Sequence, residues 1–314
     1  MSDPSLKHDS SLKPDPSVIG GISVAPFVRP LDPVAEFRKR AERFAFLAQT
    51  SDLGPFLDFL AGLTGVQAEV AGRLPAPEPL PAEDVARARQ AAMPPIDRLA
   101  LIDSRDLAET LEATLTALRE VEMPEQARVA LEAVIEGDAD ARRWLIANVM
   151  AETIPEEAAA PLLLVAIGVQ VHLARLAATL DGAALVPIRT GVCPACGGRP
   201  NISTVVGTPG AENTRYAHCA SCATAWNEVR VKCLCCGSTK GIGYRTLDEG
   251  GKAEKASVRA EVCDECHRWV KILYQTLNPT LDPVADDVAS LGLDIALQDS
   301  EWRRGAFNPL LSGF

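Results

Sequence analysis

Four Cys-X-X-Cys pairs crowd the carboxyl-terminal half of this 314-residue chain. They are Cys193-Pro-Ala-Cys196-Gly197, Cys219-Ala-Ser-Cys222, Cys233-Leu-Cys-Cys236-Gly237 and Cys263-Asp-Glu-Cys266. All nine cysteines lie between positions 193 and 266, so this segment has a chemistry that the rest of the sequence lacks. A turn with two residues between its cysteines aims both thiolates at one point, and two such turns supply four tetrahedral ligands. The spacing therefore predicts two four-cysteine metal sites.

Pairing each turn with the next one along the chain assigns the ligands. Site one is then Cys193, Cys196, Cys219 and Cys222, and site two is Cys233, Cys236, Cys263 and Cys266. An interleaved arrangement is the alternative, but the β pattern between the pairs favours the sequential one. Gly197 and Gly237 let the backbone fold close to each metal. Spacing does not distinguish zinc from iron, because both accept four thiolates in a tetrahedron.

One further cysteine and three histidines need an interpretation. Cys235 stands between two predicted ligands, so we expect a small, partly buried residue, with a redox-sensitive thiol or alternative ligand as the other interpretation. His218 and His267 each adjoin a ligand cysteine, and since four cysteines complete each site, a supporting or surface role is expected for both. His172 has no metal-ligating neighbour at ligand spacing, which favours a hydrogen-bonded core histidine.

Short segments rich in β-branched and aromatic residues separate the cysteine turns and predict strands. They are Ile202–Val206, Thr214–His218, Trp226–Val231, Ile242–Arg245, Val258–Val262 and Val270–Tyr274. Each set of three is opened and closed by a Cys-X-X-Cys pair, which indicates an internal duplication. Sheets this small bury little apolar surface, and a structural metal, at about 10–16 kcal/mol, would replace the missing core.

The residues before the cysteine segment are predicted to be mostly helical. Asp32-Pro33 is typical of an N-cap followed by proline at the first helical position. The prolines between positions 72 and 81 predict an extended linker, and Ser104 is a candidate cap for the helices that resume after it. The helix predicted from Pro155 to Leu180 is apolar around its whole circumference at its middle, so it should be the most buried one.

These patterns predict an α+β, multidomain chain. A disordered lead is expected over residues 1–25 and a helical domain over 26–184, followed by two zinc-ribbon-like four-cysteine β units over 191–232 and 233–275. A C-terminal helix, from Pro283 to Leu297, and a tail complete residues 276–314. We expect the helical part to fold without the ribbons, because it has apolar stripes of its own.

Charge and hydropathy argue against several classes of protein. A net charge of −11 opposes non-specific nucleic-acid binding. Residues 191–275 hold 11 Lys and Arg against 8 Asp and Glu, but positive and negative residues alternate along this segment.

The sequence also argues against a membrane protein and against an enzyme. The most apolar run, Ala158–Val169, is too short to span a bilayer, so no membrane insertion is expected. No export signal is visible, which predicts a cytoplasmic protein with reduced thiols. No hydrolase, P-loop or dinucleotide-binding signature is apparent, which predicts that the protein is not an enzyme.

Several segments along the chain permit a family comparison. They are Phe27-Val28-Arg29, Arg40-Ala41, Leu47-Ala48, Cys193-Pro-Ala-Cys196-Gly197, Arg215-Tyr216-Ala217-His218-Cys219, Trp226-Asn-Glu-Val229-Arg230-Val231-Lys232-Cys233, Lys271-Ile272-Leu273-Tyr274, Ala285-Asp286-Asp287-Val288-Ala289-Ser290-Leu291 and Asn308-Pro309. With these segments, from about residue 20 to its end, the chain resembles the FdhE family of formate dehydrogenase accessory proteins. Plain zinc ribbons share the cysteines but not these segments. The chain departs from the family pattern at Cys235, where the family needs no cysteine, and at Ala225, where an acidic residue is expected.

That resemblance implies a cytoplasmic assembly factor that binds the catalytic, molybdenum- or tungsten-containing subunit of formate dehydrogenase during its maturation. It further implies rubredoxin-like sites that hold iron, which would allow one-electron chemistry, whereas zinc would be structural. Self-association is left open. Two alternatives remain from the residues themselves: a nucleic-acid-binding zinc-ribbon protein and an independent rubredoxin-like electron carrier.

Overall fold

The computed structural model describes residues 25–207, 211–247 and 255–311, so nearly all of the predicted lead lies outside the described residues, as does the end of the tail. In this part of the chain, seven α-helices precede the first six strands of a mixed sheet, and two short α-helices and a seventh strand follow them. This order confirms the predicted fold class. The helices are α1 Pro33–Ala48, α2 Gly54–Arg73, α3 Ala82–Gln90, α4 Arg105–Leu118, α5 Glu125–Glu136, α6 Ala139–Ala151, α7 Ala159–Ala177, α8 Ala285–Ala289 and α9 Leu291–Gln298.

Local capping explains where several of these helices begin. Asp32 accepts hydrogen bonds from the backbone N–H groups of Val34 and Ala35, at 3.0 and 3.1 Å, and Pro33 is the first residue of α1. Ser104 caps α4 in the same way through the N–H of Leu107. A side-chain oxygen at the cap satisfies backbone donors that have no partner inside the helix. Both predicted caps are therefore confirmed.

Helix α7 forms the centre of the helical part. It packs against α1, α2, α4, α5 and α6, and almost all of its residues are buried. The stretch Glu156–Ala177 is the one helix in the described ranges that is long and apolar enough to cross a membrane, and 78% of its apolar window is buried inside the protein. A core helix passes the same test, so this finding is weak support for a membrane span. The prediction of a central, buried helix is confirmed.

The strands form one continuous sheet in the order β3-β2-β1-β6-β5-β4, with β7 beside β6. Two antiparallel three-strand units, β1 to β3 and β4 to β6, meet where β1 runs parallel to β6. The sequence predicted the two units but not this pairing between them. The strands are β1 Pro200–Val205, β2 Arg215–Cys219, β3 Ala225–Glu228, β4 Ile242–Arg245, β5 Val258–Cys263, β6 Arg268–Tyr274 and β7 Arg303–Arg304.

Two segments near the chain ends attach to this sheet. Residues 27 to 29 lie along the outer edge of β3, where the Arg29 N–H donates to the Ala225 carbonyl and the Asn227 N–H donates to the Phe27 carbonyl. At the other end, β7, in the predicted C-terminal tail, pairs with the start of β6. Covering an edge strand removes a template for pairing with other chains.

The helix predicted over Pro283–Leu297 is wrong in one respect, because it breaks at Ser290 into α8 and α9. The reason is the fully buried Lys271 on β6, whose ammonium donates to the backbone carbonyls of Asp287 and Ser290. In a continuous helix, the Asp287 carbonyl would accept from Leu291 instead. Lys271 is also paired with the carboxylates of Asp287 and Asp294, which neutralise its buried charge.

A second buried ion pair connects the two strand units. Arg215 on β2 donates from Nη2 to the Glu261 carboxylate on β5 at 2.8 Å, and both side chains are at most 3% exposed. The same guanidinium donates from Nη1 to the Lys232 carbonyl at 2.9 Å and to the Arg230 carbonyl at 3.4 Å. The chain that accepts these bonds lies beyond the end of β3, which stops at Glu228 and not at the predicted Val231.

Replacing Arg215 by Met should lower the free energy of unfolding by about 3–5 kcal/mol, because it leaves the Glu261 carboxyl buried without its charged partner. Urea denaturation followed by circular dichroism measures the change. Arg119→Met is the matched control, since the Arg119–Glu132 pair is solvent-exposed and should contribute nothing measurable. Equal effects of the two substitutions would contradict this role for Arg215.

Candidate metal centres

The structure brings eight of the nine cysteines together in the two groups expected from their order along the chain. Within each group, all four Sγ atoms lie within 4.8 Å of one another. Four sulfurs at about 2.3 Å from a tetrahedral ion are about 3.8 Å apart, whereas a disulfide bond is about 2.05 Å long. Both groups therefore have the dimensions of a metal site. The Sγ–Sγ distances include 3.6 Å for Cys193–Cys222 and 3.5 Å for Cys196–Cys219 in site one, and 3.7 Å for Cys233–Cys266 and 3.8 Å for Cys236–Cys263 in site two.

All four cysteine turns share one backbone conformation. The residue after the second cysteine is in the left-handed region in each of them, at Gly197, Ala223, Gly237 and His267, with φ of 75°, 60°, 81° and 50°. In the first turn of each site, the N–H of that glycine donates back to the carbonyl of Cys193 or Cys233, at 2.9 and 3.0 Å. The turns thus aim their sulfurs by the same local geometry, as the repeated sequence pattern predicted.

Backbone and side-chain groups also point at the sulfurs. In site one, the Ser221 and Cys222 N–H groups lie 3.4 and 3.5 Å from Cys219 Sγ, and Thr224 Oγ1 lies 3.1 Å from Cys222 Sγ. In site two, the Cys235 N–H lies 3.3 Å from Cys233 Sγ. Donors aimed at a sulfur stabilise its thiolate form, which is the form that binds a metal.

Site one lies inside the main hydrophobic core. Its four cysteines are no more than 3% exposed, and they belong to the same apolar cluster as the buried face of α7. A buried polar chain adds to this connection, because Gln67 on α2 donates to the Gln170 side chain on α7, which in turn donates to the carbonyl of Ala220 at 2.8 Å. The helical part and site one therefore share one core.

Glu152 holds both turns of site one against the helices. This buried residue, at the end of α6, accepts hydrogen bonds from the Arg199 backbone N–H, from Ser221 Oγ at 3.0 Å and from the Arg98 guanidinium at 2.9 Å. Gly198 has no room for a side chain, since a Cβ there would lie 2.8 Å from the Glu152 carboxylate. One carboxylate thus positions the residues on either side of the sulfurs.

Site two is closer to solvent. Cys233 and Cys263 are buried, Cys266 is half-buried and Cys236 is exposed. Its second turn is supported by the C-terminal tail, where the Arg303 N–H donates to the His267 carbonyl and Trp302 Nε1 donates to the Asp264 carboxylate. The two sites therefore repeat the same local geometry in very different surroundings.

Cys235 is half-buried and lies beside site two rather than within it. The neighbouring Cys235 side chain, followed by backbone N–H groups that include the Cys235 N–H at 3.3 Å from Cys233 Sγ, lowers the pKa of the Cys233 thiol to about 4. A Cβ at Gly305 would overlap Cys235 Sγ, so the tail packs directly on this sulfur. The half-buried position agrees with the expectation from sequence, and the hydrogen bond gives the residue a supporting role for a candidate ligand.

The three histidines in the described ranges lie outside both cysteine groups. His218 is half-buried, and its Nε2 lies 2.8 Å from Thr204 Oγ1. Loss of solvation, together with the positive charge of Arg29, lowers the pKa of His218 to about 3, so its ring is neutral at pH 7. His267 is exposed, with Nδ1 3.7 Å from Glu301. His172 is buried 3.4 Å from Thr110 Oγ1, which confirms the predicted core histidine.

The chemistry of the donor set fits a bound cation. Burial raises the pKa of the Cys193 thiol well above its usual range, so four thiolates in site one require a positive charge at their centre. A tetrahedral zinc or iron ion supplies that charge and accepts four sulfurs. Both groups could hold such an ion, and four sulfur ligands leave no open coordination position for a substrate.

Sequence reasoning missed the residues that support site one from the helical part, chiefly Glu152, Arg98 and Gln170. They lie 23 or more positions before Cys193 and carry no metal-ligating signature. Arg199, which follows the first turn directly, was the one available signal, because a charged residue beside a buried site needs a partner. Its partner is Glu152, at 2.8 Å from Arg199 Nε.

Three family models match consecutive parts of the chain. The model described as the N-terminal part of FdhE matches residues 25–190, the FdhE central domain matches residues 192–230, and the FdhE C-terminal domain matches residues 231–311. Together they extend over nearly all of the residues that the structure describes.

Individual relatives give the same result. A protein named FdhE homolog from Rhizobium meliloti is 55% identical over 305 residues, which is 97% of this chain and 99% of that protein. Protein FdhE from Escherichia coli K12 is 32% identical over 286 residues, covering 88% of this chain and 87% of the other. The crystal structure of the FdhE protein from Pseudomonas aeruginosa matches with a TM-score of 0.81 at 30% identity, covering 91% of this chain and 99% of that chain. The chain therefore belongs to the FdhE family.

Proposed function

We propose that this protein is a non-catalytic, cytoplasmic assembly factor that binds the catalytic subunit of formate dehydrogenase during its maturation. Family membership over nearly the full length carries the proposal, because the FdhE resemblance is to accessory proteins of that enzyme. The two assembled cysteine groups support it, since each offers four sulfurs and no open position for a substrate.

We further propose that each cysteine group binds one metal ion, through Cys193, Cys196, Cys219 and Cys222 in site one and through Cys233, Cys236, Cys263 and Cys266 in site two. Iron in these sites would supply one-electron chemistry, and zinc would be structural. Site one then stabilises the shared core. Site two, with Cys236 exposed, is the one that a partner or an electron donor can approach.

A second candidate function is that of an independent electron carrier. The exposure of Cys236 favours it, because electron transfer between proteins needs a metal site close to the surface. The anaerobic absorption spectrum separates the two candidates. Ferric tetrathiolate is coloured, whereas a zinc protein is colourless and carries no electrons.

The two sites should respond differently to loss of a ligand. Cys193→Ser should remove one metal equivalent and lower the urea midpoint of the helical circular dichroism signal, because Cys193 lies in the core that α7 shares. Cys236→Ser is the matched control; it should also remove one equivalent but leave the helical signal nearly unchanged, since Cys236 is exposed. Equal shifts of the helical midpoint in both variants would contradict the shared core.

The assembly role is tested by capture and by gene deletion. A tagged copy of the full chain, purified without oxygen, should retain the catalytic subunit of formate dehydrogenase, and deletion of the gene should abolish formate oxidation until the wild-type gene is restored. An untagged copy controls for adsorption. Unchanged formate oxidation in the deletion strain, together with no captured subunit, would refute the proposal, and a salt-dependent gel shift with DNA or RNA would favour the nucleic-acid alternative.

A further inference from the structure

A cleft of about 570 Å³ separates the two candidate metal centres. One wall is the segment from Arg189 to Val192, and another is the first cysteine turn of site two, including Cys235 and Cys236. Gly197, which follows the first turn of site one, also lines the cleft. The volume falls within the range of about 300–1,000 Å³ that is usual for small-molecule sites.

Outside the cysteines, the charged side chains that line the cleft among the described residues are all arginines, although the protein is acidic. Arg189, Arg199 and Arg268 line it, and none of the residues that line it in the described ranges is acidic. This contrasts with the net charge of −11 for the whole chain. A cleft with charge of one sign concentrates ligands of the opposite sign.

Two of these guanidinium groups are available to a ligand. Arg189 and Arg268 are exposed, and their side chains make no hydrogen bond or ion pair with any residue in the ranges 25–207, 211–247 and 255–311. The third, Arg199, is fixed in place by Glu152 at 2.8 Å and stacks over the Phe307 ring at 5.2 Å. Glu152 also pairs with Arg98. Because one carboxylate faces two guanidinium groups, the three residues together keep a net positive charge.

We propose that this cleft binds a phosphoryl or diphosphoryl group of a small molecule, held by Arg189 and Arg268 with Arg199 as a fixed third contact. Guanidinium groups bind phosphate oxygens in a bidentate manner. A single carboxylate offers two oxygens and one charge, which is too little for three arginines, whereas a diphosphate satisfies all of them. This ligand site goes beyond the assembly role and does not depend on it.

The position of the cleft links the ligand to site two. Cys236, its exposed candidate ligand, lines the same cleft, so a bound anion would lie beside these sulfurs and shield them from solvent. The rival role for Arg268 is to offset the negative charge of four thiolates around the metal. The two roles predict different effects of removing the arginines.

Isothermal titration of the full, metal-loaded chain with inorganic pyrophosphate at fixed ionic strength tests the proposal. One pyrophosphate should bind per chain, and Arg189→Ala combined with Arg268→Ala should weaken binding at least tenfold without loss of metal. Arg38→Ala combined with Arg89→Ala removes the same charge from exposed positions outside the cleft and should leave the affinity within about twofold. Pyrophosphate should also slow the release of site-two metal to a chelator.

Three results would overturn the inference. The first is no binding of pyrophosphate at millimolar concentration, or equal weakening by both double substitutions, which would mean non-specific charge attraction. The second is citrate binding as tightly as pyrophosphate, which would contradict the selection for phosphoryl groups. The third is that Arg189→Ala combined with Arg268→Ala removes the site-two metal but leaves the affinity for pyrophosphate unchanged. That result would mean that the arginines offset the negative charge of the thiolates and do not bind a ligand. Circular dichroism establishes that each variant is folded.

Discussion

The fold of the carboxyl-terminal half depends on four cysteine turns that gather eight sulfur atoms into two groups, each of which could hold a cation. The strands of this region are four to seven residues long in both three-strand units, and such units are too small to be stable on their own apolar surface. Repulsion among four thiolates would also separate the cysteine turns if no cation lay between them. The binding free energy of a structural metal, about 10–16 kcal/mol, is comparable with the whole stability of a typical domain. With the proposed metal ions bound, metal binding and folding would be one event in this region.

The duplication gave the chain two sites with one local geometry and two different environments. Site one is enclosed by α7, Glu152 and Gln170, so its sulfurs belong to the same core as the helices. Site two rests on the sheet and the C-terminal tail and keeps Cys236 at the surface. This asymmetry suits a protein in which one site stabilises the structure and the other is available to a partner. The parallel pairing of β1 with β6 connects the two three-strand units that carry these sites.

Much of this architecture could be predicted because it is encoded locally. The cysteine turns depend on two intervening residues and a following left-handed residue, which is a glycine in two of the four, and the caps at Asp32 and Ser104 act within three residues. Features that depend on distant residues were missed. The break at Ser290 requires Lys271, and the support of site one requires Glu152, which lies far from the cysteines in sequence. The contact between β1 and β6 joins residues about 70 positions apart, and no periodicity reports such a pairing.

X-ray absorption at the metal edge of protein purified without oxygen tests the central claim most directly. Two ions per chain, each with four sulfur neighbours at about 2.3 Å, are the expected result for eight cysteine ligands. Nitrogen or oxygen neighbours in the first coordination sphere, or sulfurs bonded to each other at about 2.05 Å in place of metal, would contradict it.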